Sequence, residues 1–150
     1  LGEKRAMAWT GRLLGLGGLV PFLAAALGAW LTGDGRWAFA GLLYGAIILS
    51  FLGGIQWGLV LGEGAEAPRG AARLSFSVAP SLIAWAALFT GPLLGPLILA
   101  AGVLLAWLFE QQPWLRERLP AWYGQLRHLL TAGVVLTMGA LFAFSAQARF

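Results

Sequence analysis

A chain of 150 residues with 59% hydrophobic side chains, 11% charged ones and a mean hydropathy of +0.79 has too few polar groups to coat a water-soluble globule. Its formal charge of +4 would suit nucleic acid, but the basic residues lie in short stretches between apolar runs, where they orient helices against anionic lipid, so no nucleic-acid partner is expected. The absence of cysteine removes disulfides, thiolate metal sites and cysteine nucleophiles.

Crossing a bilayer core takes about 20 apolar residues in a helix. Five runs meet that length: 13–31, 37–61, 74–90, 93–109 and 129–145. The fold class this predicts is all-α, a polytopic membrane protein with about five transmembrane helices in one domain over 1–150. The first run is read as a span, since 11–31 is too long and too rich in glycine for the apolar core of a typical signal peptide.

The second run carries Gly41, Gly45, Gly54, Gly58 and Gly62, an interrupted series at steps of four that lets another helix approach closely. Gln56 is the one amide side chain well inside a run. An unpaired amide in hydrocarbon costs several kcal/mol, so a partner is expected for it. In the third run Arg73, Ser77 and Ser81 fall on one helical face, and Pro80 interrupts the hydrogen-bond ladder beside them. The plain reading of these residues is a structural kink with one interhelical hydrogen bond, and the functional alternative is a small polar pocket between the second and third helices, lined by Gln56, Trp57, Arg73, Ser77, Ser81 and Trp85.

Thr90-Gly91-Pro92, with Gly95-Pro96 just beyond, reads as a tight hairpin into the fourth run, the alternative being one kinked re-entrant pair. Residues 110–127 place Trp114, Leu115, Leu119, Trp122 and Tyr123 near helical spacing, which predicts a short helix in the headgroup region between the fourth and fifth spans. Trp114, Trp122 and Tyr123 are its interfacial anchors, and a docking surface for a partner is the alternative reading.

With five spans, Lys4, Arg5, Arg12, Arg69, Arg73, Arg116, Arg118 and Arg127 share one side, against Arg36 and Arg149 on the other. The positive-inside rule then sets the N-terminus in the cytoplasm and the C-terminus outside it. Asp34, Glu63, Glu66, Glu110 and Glu117 fall at or beyond the ends of runs, so no relay or cation site built on buried carboxylates is expected. His128 is the only histidine, and one chain cannot supply the paired axial histidines of a membrane b-type haem. No Ser-His-acid pattern, phosphate loop or metal-ligand cluster is present, so no catalytic residue, metal or cofactor is expected.

The stretches YGAIILSFLGGIQWG (44–58), SVAPSLIAW (77–85) and PAWY (120–123) resemble the family known as domain of unknown function 3429, whose eukaryotic relative is transmembrane protein 69. The resemblance runs from about Leu14 to Phe144 and implies a bacterial inner-membrane or mitochondrial membrane protein, with no activity to carry over. Length, helix number and aromatic content are also similar to the tryptophan-rich sensory proteins, but that family's Trp-Pro-Pro-rich motifs are missing, so the likeness is one of shape.

The functional expectation is a non-catalytic, multi-pass inner-membrane protein that packs against or helps assemble a larger membrane complex. Its partners would be the bilayer together with other membrane subunits or a second copy. The alternative is a binder or carrier of a lipid, quinone or porphyrin at the Gln56 pocket. A small homodimeric transporter is the weakest reading, since no charge sits inside a run and no inverted repeat is visible.

Overall fold

The computed structural model describes residues 1–148, so Arg149, counted above on the sparsely charged side, lies outside the described residues. The helices are α1 (Gly2–Gly17), α2 (Val20–Thr32), α3 (Gly35–Glu63), α4 (Gly70–Phe89), α5 (Gly91–Glu110), α6 (Pro113–Arg116) and α7 (Ala121–Gln147), with a 3₁₀ turn at Gly64–Glu66. The described residues contain no strand. Five stretches are long and apolar enough to cross a membrane: Gly2–Thr32, Gly35–Glu66, Gly70–Phe89, Gly91–Glu110 and Ala121–Gln147.

The elements differ from the apolar runs for local reasons. The first span divides at Gly18 and Leu19, because Pro21 has no N–H to offer the carbonyl four residues earlier and the glycines favour no regular turn. Tyr44 Oη, from α3, donates to the Gly18 carbonyl at 3.0 Å and occupies the break. Asp34 caps α3 by accepting from the Arg36 backbone N–H at 2.9 Å. The Arg36 side chain also donates to Asp34 and holds its carboxyl below the ordinary carboxylate range. The expected headgroup helix over 110–127 is a single turn, Pro113–Arg116. Pro120 ends that segment, and residues 121–127 form the first two turns of α7 instead.

α3 is the axis of the bundle and packs against α2, α4, α5 and α7. Phe22, Leu49, Leu99, Val103, Met138 and Leu141 are completely enclosed around it. The five glycines read as one packing series fall on two faces. Gly41 and Gly45 point inward, where added methyls would press on Leu141 and Ala25, and on Met138 and Leu99. Gly54, Gly58 and Gly62 are exposed, with no neighbour within 4 Å of a methyl added there. Thirteen residues separate Gly41 from Gly54, and at about 100° per residue they turn the helix to nearly its opposite side.

The closest approach to another helix's backbone belongs to Gly53. A methyl there would collide with the backbone carbonyl of Ser77, next to Pro80 of α4. Gly53→Val should therefore destabilise the protein by about 1–3 kcal/mol or more, as overpacked cores do. Gly54→Ala, one residue on, should be neutral or mildly stabilising. Thermal unfolding of the two variants in one detergent checks both expectations.

Candidate functional site

Most of the polar side chains that the helices enclose, namely Gln56, Arg73, Ser77, Glu110, Arg127 and Thr131, collect toward the end of the bundle where α3 and α5 finish and α4 and α7 begin, while Thr137 and Ser145 lie farther along α7. Gln56 is 6% exposed, and neither its Nε2 nor its Oε1 has a hydrogen-bond partner among the described residues. It lies on a lateral cleft of about 330 Å³ between α3, α4 and α5, whose other walls are mostly apolar, among them Leu52, Pro80, Ile83 and Leu105. Ser77 and Glu110 are the remaining ionisable or hydroxyl side chains on these walls. The Ser77 hydroxyl is spent on the Leu74 carbonyl at 2.6 Å, so it leaves the Gln56 amide unmet. Phe76 on α4 and Leu105 on α5 are exposed, which opens the cleft sideways.

Glu110, the last residue of α5, is only 4% exposed and receives Arg127 Nε of α7 at 2.9 Å. Tyr123 Oη donates to its other oxygen at 3.1 Å, and Arg127 Nη1 donates to Thr131 Oγ1 at 2.6 Å. Arg127 is itself 3% exposed, and its Nη2 has no partner. Glu110 sits at a helix end, as expected, but it is buried there. The first turns of α7 and the chain that precedes them fold over the end of α5 and remove Glu110 from solvent. Glu110 lines the lateral cleft on one side and a second cavity of about 250 Å³ on the other, which Arg116, Gln125 and His128 also border.

A third polar cluster locks the same end of the bundle. The buried Arg73 guanidinium makes a two-pronged ion pair with Glu63, at 2.7 and 3.2 Å, and Arg118 joins Glu63 at 3.3 Å. Arg69, Arg73 and Arg118 all lie over the Trp114 ring, at 5.4, 5.3 and 5.8 Å from its centre. Trp114 therefore fastens α6 to the start of α4.

Of the six residues assigned to a pocket, the cleft gathers Gln56 and Ser77. Arg73 turns away to Glu63, and Ser81, half-buried, lies off its walls. Trp57 and Trp85 are exposed, the latter stacked edge-on against Phe89. The wall missing from the two-helix expectation is α5, which supplies Gly102, Leu105 and Glu110. Trp122 and Tyr123 are likewise more than headgroup anchors, since Trp122 covers Gly11 of α1 and Tyr123 serves Glu110. One signal for the ion pair was legible: an acid closing one apolar run and an arginine two residues before the next.

The family described as "Protein of unknown function (DUF3429)" matches residues 7–143. The chain belongs to that family. Among curated family relatives, it is 36% identical to transmembrane protein 69 of Xenopus tropicalis over 131 residues, covering 83% of this chain and 50% of that protein. The mouse transmembrane protein 69 is 34% identical, with 86% of this chain and 51% of the mouse protein covered. The chain thus spans about half the length of the curated relatives it matches. No solved structure matches it.

Removing one partner from an enclosed ion pair leaves the other charge unmet, a loss of about 3–5 kcal/mol. Glu110→Gln should lower the thermal midpoint accordingly, whereas the double variant Glu110→Leu with Arg127→Met should recover most of that loss. A double-mutant cycle read by thermal unfolding in detergent tests whether the pair is coupled.

Proposed function

We propose that this membrane protein is a non-catalytic binder of an apolar, membrane-resident molecule whose polar head seats at Gln56. The observation that supports the reading is the Gln56 amide itself, enclosed with both its donor and its acceptor unmet on the wall of an apolar cleft. Leaving such a group unpaired costs several kcal/mol in hydrocarbon surroundings. A ligand carbonyl or hydroxyl would remove that cost, while apolar walls accept the rest of the molecule. A cleft of about 330 Å³ is at the small end of ligand pockets, which typically run from about 300 to 1,000 Å³. That size favours a quinone ring or lipid head with its tail left in the bilayer over a whole porphyrin.

The test is tryptophan quenching in nanodiscs with a ubiquinone analogue, a phospholipid and a porphyrin as separate probes. The quinone or the lipid should quench saturably, and Gln56→Leu should weaken it about tenfold, the worth of one hydrogen bond at about 1.4 kcal/mol. The same substitution should leave the thermal midpoint unchanged or raised, because it removes an unpaired amide. Absence of saturable quenching by all three probes would sink the reading.

A second reading, an accessory or assembly role in a larger membrane complex, is supported by the outward ridge of Gly54, Gly58 and Gly62. In lipid, helices associate through such small residues, and no described residue lies within 4 Å of a methyl added at them. Purification from the native membrane should then return a stoichiometric partner or a second copy, lost in Gly54→Leu with Gly58→Leu. In this reading the protein sits in a bacterial inner membrane with its N-terminus inside, as the excess of Lys and Arg at one end of the bundle favours. The chain has no cysteine, so single variants report orientation directly. Gly33→Cys should react with an impermeant maleimide on intact cells, and Ala65→Cys only after permeabilisation.

A further inference from the structure

On the other side of the α3–α5 contact runs a larger groove, about 400 Å³, bounded by α1, α2, α3 and α7. Leu52 faces both this groove and the Gln56 cleft. The walls are otherwise apolar, with Leu14, Phe22, Ile48, Ile55 and Leu130 among them, and glycines of α1 replace side chains along one edge. α1 contributes no buried residue to the bundle, so the groove is covered on that side by a helix lying loosely over it. Among the described residues, only Trp122, Tyr123 and Arg127 bring side chains with polar atoms to its walls.

The state of Arg127 decides what such a groove would hold. Its Nε serves Glu110 and its Nη1 serves Thr131, which leaves Nη2 enclosed with no acceptor. A buried guanidinium N–H without a partner is costly, and an anionic oxygen is the strongest acceptor it could receive. The groove is therefore apolar along most of its length and, at one point, offers the unmet N–H of a guanidinium whose charge Glu110 already balances. That point lies toward the end of the bundle that carries Lys4, Arg5 and Arg12 on α1 and Arg116 and Arg118 beyond α5. Eight of the ten Lys and Arg of the chain lie toward this end, with five acids beside them, Glu3, Glu63, Glu66, Glu110 and Glu117, so the end keeps a net positive charge. A bound water is a poor substitute for an anionic acceptor, since it needs two to four polar partners and these walls supply few.

We infer that the groove between α1, α3 and α7 is a seat for an anionic phospholipid of the bilayer, one acyl chain lying along the groove and the phosphate accepting from Arg127. Charge complementarity selects the occupant. A zwitterionic lipid offers the same phosphate but gains nothing from the surrounding lysine and arginines, whereas each basic side chain near a membrane surface favours an anionic lipid. This site is separate from the Gln56 cleft, and either stands if the other fails.

Native mass spectrometry of the whole chain, supplied with phosphatidylglycerol and phosphatidylcholine of matched acyl chains, tests it. One phosphatidylglycerol should be retained per chain with about tenfold preference over phosphatidylcholine. Arg127→Gln should abolish the preference, and because that change also unpairs Glu110, a second variant is needed. Leu14→Trp fills the groove from an exposed position without touching the ion pair and should reduce retention about tenfold. Leu136→Trp, on an exposed face of α7, should retain the lipid as the wild type does. Equal retention of the two lipids, or undiminished retention by Leu14→Trp, would show ordinary boundary lipid only and overturn the proposal.

Discussion

Between the end of α5 and the second turn of α7, an arginine and a glutamate face each other out of reach of solvent, and three hollows of the molecule adjoin them. Glu110 borders the lateral cleft and the cavity beside α6, and Arg127 borders that cavity and the groove against α1. Two charges taken out of water are tolerable only if each is paired and hydrogen-bonded. Tyr123 and Thr131 supply the additional bonds, so four residues must hold one geometry together. That requirement fixes where α7 starts relative to α5, and with it the position of the Trp122 ring over α1 and the shape of the groove.

Close backbone approach does the complementary work at the α3–α4 crossing. In lipid no water-driven collapse pulls helices together, so contact area depends on how near their backbones come. Gly53 lets α3 rest against the Ser77 carbonyl, and Pro80 in the same region of α4 takes an N–H away from the ladder. The cleft that exposes Gln56 lies beside this crossing, its third wall made by α5. Tight packing and an unmet amide thus lie next to each other.

The end of the bundle rich in basic side chains is also its most cross-linked part. Glu63 gathers Arg73 and Arg118, and Trp114 gathers three guanidinium groups. The opposite end is held by neutral or local hydrogen bonds, such as the Asp34 cap and the Trp30 indole, which donates across the bundle to the Ala140 carbonyl at 3.1 Å. A ligand entering near Gln56 or Arg127 would meet the firm end of the molecule, where a positioned polar group keeps its place.

The sequence by itself determined the solvent, the five spans and the crowding of basic residues toward one end, because these depend on composition and on apolar run length, which are local properties, and its motifs at 44–58, 77–85 and 120–123 carried the resemblance to the family. It also singled out Gln56, since an amide inside an apolar run is costly wherever the helix packs. Tertiary structure alone decided which glycines face in and which face out, since that depends on where neighbouring helices stand around α3. It decided that Trp114, Trp122 and Tyr123 would be tertiary contacts, and that α5 would complete the cleft. It also joined Glu110 to Arg127 across seventeen residues that read as a surface connection. Pairing of that kind follows from how two helix ends are brought together in space, and no periodicity along the chain records it.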